Sequence, residues 1–290
     1  MKKIIFLIPV YNDWKSLVKL LSEINNVIKD KKNFEFGCVI INDASNIEQI
    51  KILKPLNIKF LKIIDMMKNK GHARCNAFGL RYINSNESFD YVILMDGDGE
   101  DRPNEVIDLI NKISKEPDLS VVAKRIKRSE GFIFQLMYQT HKLITYILTG
   151  KKVNFGNYSC LRKEDVNNLS DKASLWSSFS GTVKKNIVKF NTINSIRGTR
   201  YFGPSKMSLI NLFLHSFSII AVFKYQVFLR STFIIIILAY LNKYLGNMSI
   251  CLQILIALFN LMIFIISLRE RENELKNSHN NVDKIKNISH

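Results

Sequence analysis

Tyr91-Val-Ile-Leu-Met-Asp-Gly-Asp-Gly-Glu-Asp-Arg-Pro103 holds the sharpest change of character in the chain: five apolar residues end abruptly in acid. The apolar run reads as a buried strand, and its end as the place where carboxylates reach the rim of a sheet. In open α/β sheets ligands sit outside the carboxyl ends of the strands. Asp96 and Asp98 are separated by one glycine, with Glu100 and Asp101 directly behind. Hard cations such as Mg²⁺ or Mn²⁺ suit such oxygen donors, and Mg²⁺ is usually held by one or two carboxylates plus substrate phosphates. Asp-Gly pairs are also common turn formers, so these residues alone leave a metal site and a solvated acidic turn both open. Pro103 fits the first turn of a helix predicted from Asn104 to Ile113.

Working back toward the N-terminus, Ile4 to Val10 predicts a first short buried strand, followed by the polar Tyr11-Asn12-Asp13. Apolar residues at helical spacing predict a helix from Trp14 to Ile28. Phe36 to Ile41 predicts a second strand, closed by Asn42-Asp43-Ala44-Ser45, and Ile58 to Ile64 a third. Asn69-Lys-Gly-His opens a helix running from His72 to Ile83, and Leu119 to Ala123 predicts a fifth strand. Strands alternating with helices imply a mostly parallel sheet with helices on both faces. Four strand ends carry polar residues: Tyr11 to Asp13, Asn42-Asp43, Asp96 with Asp98, and Lys124-Arg125. Their convergence on one edge is the layout of a nucleotide-type site. No G-x-G-x-x-G follows the first strand and no P-loop occurs, which argues against dinucleotide and P-loop folds.

Lys and Arg number 42 against 25 Asp and Glu, giving a formal net charge of +17 over 290 residues. That balance suits anionic lipid or phosphorylated substrates. The cations are dispersed and no nucleic-acid-binding signature occurs, so no nucleic acid partner is expected. Cys38, Cys75, Cys160 and Cys251 lack metal-type spacing and imply a reduced compartment without disulfides. The five histidines do not cluster, so no zinc site is suggested. Lys2-Lys3 lead directly into an apolar strand, so no cleavable leader is expected.

Taken in order, Ile8-Pro-Val-Tyr-Asn, Asn42-Asp-Ala-Ser, Asn69-Lys-Gly-His with Ala77 and Gly79, and Asp96-Gly-Asp resemble the successive motifs of family 2 glycosyltransferases with the GT-A (Rossmann-like) fold. The resemblance covers roughly Met1 to Arg128. It implies a nucleotide diphosphate sugar as donor. Asp43 would contact the base or ribose, and Pro9 and Tyr11 would line the base pocket. Gly71 would belong to the same donor site, while Asp96 and Asp98 would hold the metal and the donor diphosphate. Read without the family, Asp43 is equally well a turn residue after a strand.

Further along, Arg197-Gly-Thr-Arg-Tyr-Phe-Gly-Pro-Ser-Lys206 resembles the segment of polyprenyl-phosphate sugar transferases, the dolichyl-phosphate-mannose-synthase-like branch, in which an arginine and a lysine lie near the phosphates. Carried onto this chain, these are Arg200 and Lys206; a solvated basic loop is the plain alternative. One departure matters. Where those relatives carry an acid followed by Phe-Arg, this chain has Asn157-Tyr158-Ser159. An amide cannot act as a general base, which leaves Glu100 and Asp101 as the other candidates. A phosphate acceptor is already anionic and needs no strong base, so Asn157 leans toward one.

The remaining segments are apolar. Gly131 to Leu148 reads as a core helix or one lying on a membrane surface. Leu209 to Phe223 reads as an interfacial helix, and Val227 to Leu245 and Ile250 to Leu268 as two bilayer-spanning helices, the first with Arg230 and Lys243 snorkelling. Two buried core helices are the alternative. Lys224, Arg230, Arg269 and Arg271 flank the pair, which places both ends in the cytoplasm under the positive-inside rule. The expected organisation is a catalytic domain over 1–207 facing the cytoplasm, an interfacial helix over 208–226, a transmembrane hairpin over 227–268 and a polar, disordered tail over 269–290.

The resulting expectation is a multi-pass inner-membrane enzyme of cell-envelope glycan assembly. It would transfer sugar with inversion from a nucleotide sugar to a polyprenyl phosphate. A lipid-linked saccharide or other hydroxyl acceptor, and a non-catalytic glycosyltransferase-like membrane protein, stay open. So do a homo-oligomer, the sugar and the nucleotide.

Overall fold

The computed structural model describes residues 1–127, 132–204 and 208–289. The first half is built of β1 (Lys2–Val10), α1 (Trp14–Ile28), β2 (Phe34–Asn42), β3 (Phe60–Met66), α2 (His72–Asn86), β4 (Tyr91–Leu94), α3 (Val106–Lys115) and β5 (Val121–Lys127). The second half adds α4 (Phe132–Thr149), β6 (Phe155–Arg162), α5 (Lys163–Ser170), α6 (Phe179–Asn186), β7 (Asn191–Ile196), α7 (Leu209–Ala221), α8 (Lys224–Leu245), α9 (Asn247–Ser267), α10 (Glu272–Lys276) and β8 (Val282–Ile288).

The eight strands form one sheet in the order β7-β5-β6-β4-β1-β2-β3-β8. β4, β1, β2 and β3 run parallel, as do β5 and β7, while β6 and β8 are antiparallel to their neighbours. β1 explains why the sheet is a partition. Ile4, Phe6 and Ile8 face one core with Leu17, Leu20, Leu21 and Ile24 of α1 and Val106, Leu109 and Ile110 of α3. Ile5 and Leu7 face the other, with Ala77, Phe78 and Leu80 of α2 and Phe179 and Val183 of α6. Side chains alternate across a strand, so a run apolar at every position needs cover on both sides. Each fully buried aliphatic side chain contributes roughly 1.5–3 kcal/mol.

The predicted α/β sheet is present, with shifts at its margins. The third strand starts at Phe60, two residues later than expected, and the fifth is Val121–Lys127. β6, β7 and β8 have no counterpart among the strands predicted from sequence. The tail expected to be disordered is ordered: Leu275 is fully buried and β8 pairs with β3 along the sheet edge. Lys286 sits 2.7 Å from Asp65 and donates to Gln49 at 2.9 Å. An edge strand needs only sparse apolar residues and tolerates lysines, so Val282-Asp-Lys-Ile-Lys-Asn-Ile288 reads as solvated.

α7, α8 and α9 build a separate apolar layer around Ile220, Ala221, Val227, Ile263 and Ile266, joined by Ile144 and Leu148 of α4. α8 and α9 are long and apolar enough to cross a membrane, and only 11% and 17% of their most apolar windows are buried. Core helices would be covered. Gly246 alone separates the two, at φ +52°, and its amide donates to Asn242 O at 2.8 Å. Because β8 returns to the sheet after α9, both ends of the helical hairpin lie on the same side as the α/β domain.

Candidate active site

β4 lies between β1 and β6 in mid-sheet, and Met95 continues the pairing through its amide to Leu7 O at 3.2 Å. The chain then turns on its own acids. The Asp96 amide donates to Asp101 Oδ2 at 3.0 Å, and the Glu100 amide to Asp98 Oδ1 at 2.9 Å. Asp101 is buried, and its other oxygen accepts from Arg125 at 3.3 Å. Asp101 therefore fixes the turn from inside.

Asp96 faces α2. Its Oδ1 is buried without a hydrogen-bond partner and lies 3.2 Å from His72 Nε2. The same ring nitrogen is 2.7 Å from Asn157 Nδ2 and 3.1 Å from Asn76 Nδ2. Three carboxylates this close cannot all ionise freely. Burial opposes charge on Asp96, but His72, Arg125 and Arg197 outweigh it and hold the carboxyl below its ordinary range. Burial and then the charge on Asp96 push Asp98 up to about 6 and Asp101 up to about 7. Burial works against a charged His72, yet Asp96, Asp101 and Asp98 together raise its pKa.

A second loop, after β7, lies on the first. The Gly198 amide donates to Glu100 O and the Tyr201 amide to Asp98 O, both at 2.9 Å. Gly99 is at φ +90°, where a Cβ would strike the Tyr201 ring at 2.6 Å, and a Cβ on Gly198 would meet Gly99 O at 2.6 Å. Only glycine at both positions permits this approach. Arg197 Nε donates to Glu100 at 2.8 Å. Arg200 bridges Asp98 and Asp13, the latter at 2.6 Å, and its Nε is buried without a hydrogen-bond partner. Asp13 stands at the N-cap of α1 yet makes no capping bond, its carboxylate being turned to Arg200. Lys206 lies outside the described residues.

The donor-side candidates sit at the ends of β1 and β2. Asp43 is buried and accepts from the Lys70 and Gly71 amides, one at each oxygen, both at 2.8 Å. It therefore ties the end of β2 to the turn that opens α2. Pro9 is buried within β1, while Tyr11 is exposed beside it. Asn12 and Ala44 have positive φ, 53° and 55°. Such values cost a residue with a side chain some strain, less for Asn than for Ala. Asn12 is held by its amide to Ser45 Oγ at 2.8 Å and by Oδ1, which accepts from Asn46 at 2.9 Å.

The fold thus brings Asp96, Asp98, Glu100, Asp101, Asn157 and Arg200 into one cluster, linked through His72 and Gly71 to Asp43. His72, Asp13, Arg125 and Arg197 belong to the same cluster and had no assigned role from sequence. The signal was partly present: Asp13 and Arg125 are polar strand-end residues, and His72 closes the Asn69-Lys-Gly-His motif.

Among the described residues no group of three or more His, Cys, Asp or Glu is arranged as a metal cage. Two carboxylates on one turn, one with a buried oxygen lacking a hydrogen-bond partner, still fit a divalent ion that completes its shell with waters and phosphates.

This fold is that of a GT-A glycosyltransferase. The family model of Glycosyl transferase family 2 matches residues 5–177, and the chain belongs to that family. The undecaprenyl-phosphate 4-deoxy-4-formamido-L-arabinose transferase of Proteus mirabilis (strain HI4320) is 22% identical over 220 residues, covering 72% of this chain and 64% of that protein. The chain spans less than two-thirds of the length of the curated relatives it matches. Glucosyl-3-phosphoglycerate synthase from Mycobacterium tuberculosis, in complex with Mn²⁺, uridine-diphosphate-glucose and phosphoglyceric acid, superposes with a TM-score of 0.51 at 12% identity, over 78% of this chain and 80% of that one. Mannosyl-3-phosphoglycerate synthase from Rubrobacter xylanophilus gives 0.50 at 11% identity, over 76% and 72%. At such identities these structures speak for the fold alone.

Proposed function

We propose that the chain is a membrane-anchored, inverting glycosyltransferase that moves a sugar from a nucleotide diphosphate sugar to a polyprenyl phosphate. The observation that carries the reading is the turn bearing Asp96 and Asp98 at the carboxyl edge of the sheet, with Arg200 paired to Asp98. Pro9, Tyr11, Asp43 and Gly71 would border the donor, and Asp96 and Asp98 would hold Mg²⁺ or Mn²⁺. Such an ion supplies charge that stabilises the departing diphosphate.

Arg200 now neutralises Asp98 and Asp13. On substrate binding its guanidinium would pass to the phosphates, which it can grip bidentately, with Lys206 as a second cation. The base candidates are already engaged: Glu100 by Arg197, and Asp101 by Arg125 and the Asp96 amide. Asn157, facing His72, offers no carboxylate. An acceptor that is anionic before reaction suits such a site, and the Proteus mirabilis relative is named for undecaprenyl phosphate.

Membrane anchoring would rest on α8 and α9, with α7 at the interface and Lys224, Arg230, Arg269 and Arg271 keeping the catalytic domain cytoplasmic. In this division 1–207 and the returning tail, 269–290, form the catalytic body.

The test presents labelled nucleotide sugars to membranes containing the chain, with and without added polyprenyl phosphate. Label entering the lipid fraction only when polyprenyl phosphate is added, in an acid-labile glycosyl phosphate, is the expected result. Label appearing only on a lipid-linked saccharide would replace the phosphate acceptor with a hydroxyl one.

A further inference from the structure

A second cationic cluster lies away from the acidic turn, where the chain leaving α9 enters α10 beside α2. Arg74 stacks its guanidinium 5.7 Å from the centre of the Trp176 ring and donates to Lys70 O at 3.0 Å. Trp176 Nε1 donates to Glu274 at 3.2 Å, and the other Glu274 oxygen accepts from Arg271. Arg269 follows α9 directly, and its Nε is buried with no hydrogen-bond partner. The neighbouring Glu270 accepts from Lys224 at 2.8 Å through Oε2, and its Oε1 is buried with no hydrogen-bond partner. Burial and then the charges of Arg269 and Arg271 lower the Arg74 pKa, against the pull of Glu274 and Asp43.

Arg271 and Trp176 thus divide Glu274, Arg74 lies over the same Trp176 ring, and Arg269 and Lys70 add their charges nearby. Like charges crowd at a cost unless an anion joins them, and a buried guanidinium N–H without an acceptor adds to it. Planar guanidinium forks match the oxygens of a phosphoryl group. Trp176, buried in the core, backs the cluster from beneath Arg74.

We propose that Arg74, Arg269 and Arg271, backed by Trp176, form a binding site for a phosphoryl anion, separate from the carboxylate turn. Its position at the exit of α9 points to a lipid headgroup as the source. That source rests on the membrane reading of α8 and α9; the site itself does not. Arg74 also holds Lys70 O, and the Lys70 amide is held by Asp43, so an occupied site would stiffen the turn that opens α2.

The test uses the full chain purified in neutral detergent and reads tryptophan fluorescence. Trp176 is one of two tryptophans; both are buried, and the other, Trp14, has its Nε1 on Ile47 O at 3.1 Å rather than on the cluster. The probes are dihexanoyl phosphatidic acid, inorganic phosphate and the zwitterionic dihexanoyl phosphatidylcholine. A saturable change with phosphatidic acid and none with phosphatidylcholine is expected, weakened about tenfold or more in Arg74→Gln and Arg269→Gln. The exposed Arg271→Gln should weaken it less and serves if the other variants do not fold. Equal affinity for inorganic phosphate would keep the site and assign it to free phosphate. No saturable change with either anion, or a change that all three variants leave intact, would overturn the site. Sugar transfer is assayed on the same preparation; phosphatidic acid binding without any transfer would support this site while removing the proposed acceptor chemistry.

Discussion

The two loops that meet at the carboxyl edge of the sheet are held by different means. On the donor side the acids are fixed by backbone: Asp43 by the Lys70 and Gly71 amides, Asp101 by the Asp96 amide, Asp98 by the Glu100 amide. The loop after β7 adds two backbone bonds of its own, but its cations hold on through side chains, Arg197 to Glu100 and Arg200 to Asp98 and Asp13. Backbone bonds to a buried carboxylate have no substitute when broken. A side-chain ion pair can be exchanged for a metal on one partner and a phosphate on the other. The first loop is thus a fixed cradle and the second a clasp with a transferable hand.

The largest effect should come from the cradle. Asp98→Asn keeps the shape of the turn and removes the charge, and should lower sugar transfer by about a thousandfold, the upper range for losing one preorganised stabilising group. Full activity of this variant, measured as nucleoside diphosphate release, would leave the cradle with no part in the chemistry. Arg200→Ala should cut transfer by about a hundredfold. It should also tighten Mn²⁺ binding, by roughly fivefold to tenfold, because the competing cation is gone. Loss of transfer together with weaker metal binding would mean that Arg200 only holds the loop in place.

The pH dependence is next. With Asp98 pushed up to about 6, the metal-free protein carries a proton that Mn²⁺ must displace. Mn²⁺ affinity should fall by about tenfold per pH unit below 6 and level off above about 7, as titration calorimetry would register. The same raised carboxylates bind more protons folded than unfolded between about pH 4 and 7. Metal-free stability should therefore decline as pH rises through that window. Asp43→Asn is the smallest effect: one backbone amide loses its acceptor, a cost of about 1–3 kcal/mol read from denaturant midpoints, while Mn²⁺ affinity stays unchanged.

How much of this could be read in the chain follows the same division. Asp96-Gly-Asp98 was legible because an apolar run that breaks into acid marks a buried strand reaching the rim of its sheet, and the four motifs came in order. Arg200 was legible only through resemblance. Its partner Asp13 was legible as a polar strand end but not as an ion pair, since 187 residues separate the two. His72 looked like a helix start, and only the fold brings it to Asn157, 85 residues further along. β6 and β7 were hidden by their polar residues. Gly156-Asn157, just after the buried Phe155 that opens β6, interrupts its apolar run, and Asn191-Thr-Ile-Asn-Ser-Ile196 is an edge strand with little apolar signal. β8 was hidden for the same reason, and with it the return of the chain to the sheet.

Mn²⁺ binding to the full chain, followed by the electron paramagnetic resonance of the free ion, probes the cradle and the clasp together. One site per chain is expected in the wild type, lost in Asp96→Asn and Asp98→Asn and tightened in Arg200→Ala. Absence of binding in the wild type, or binding that neither aspartate variant disturbs, would rule out the metal site on the acidic turn.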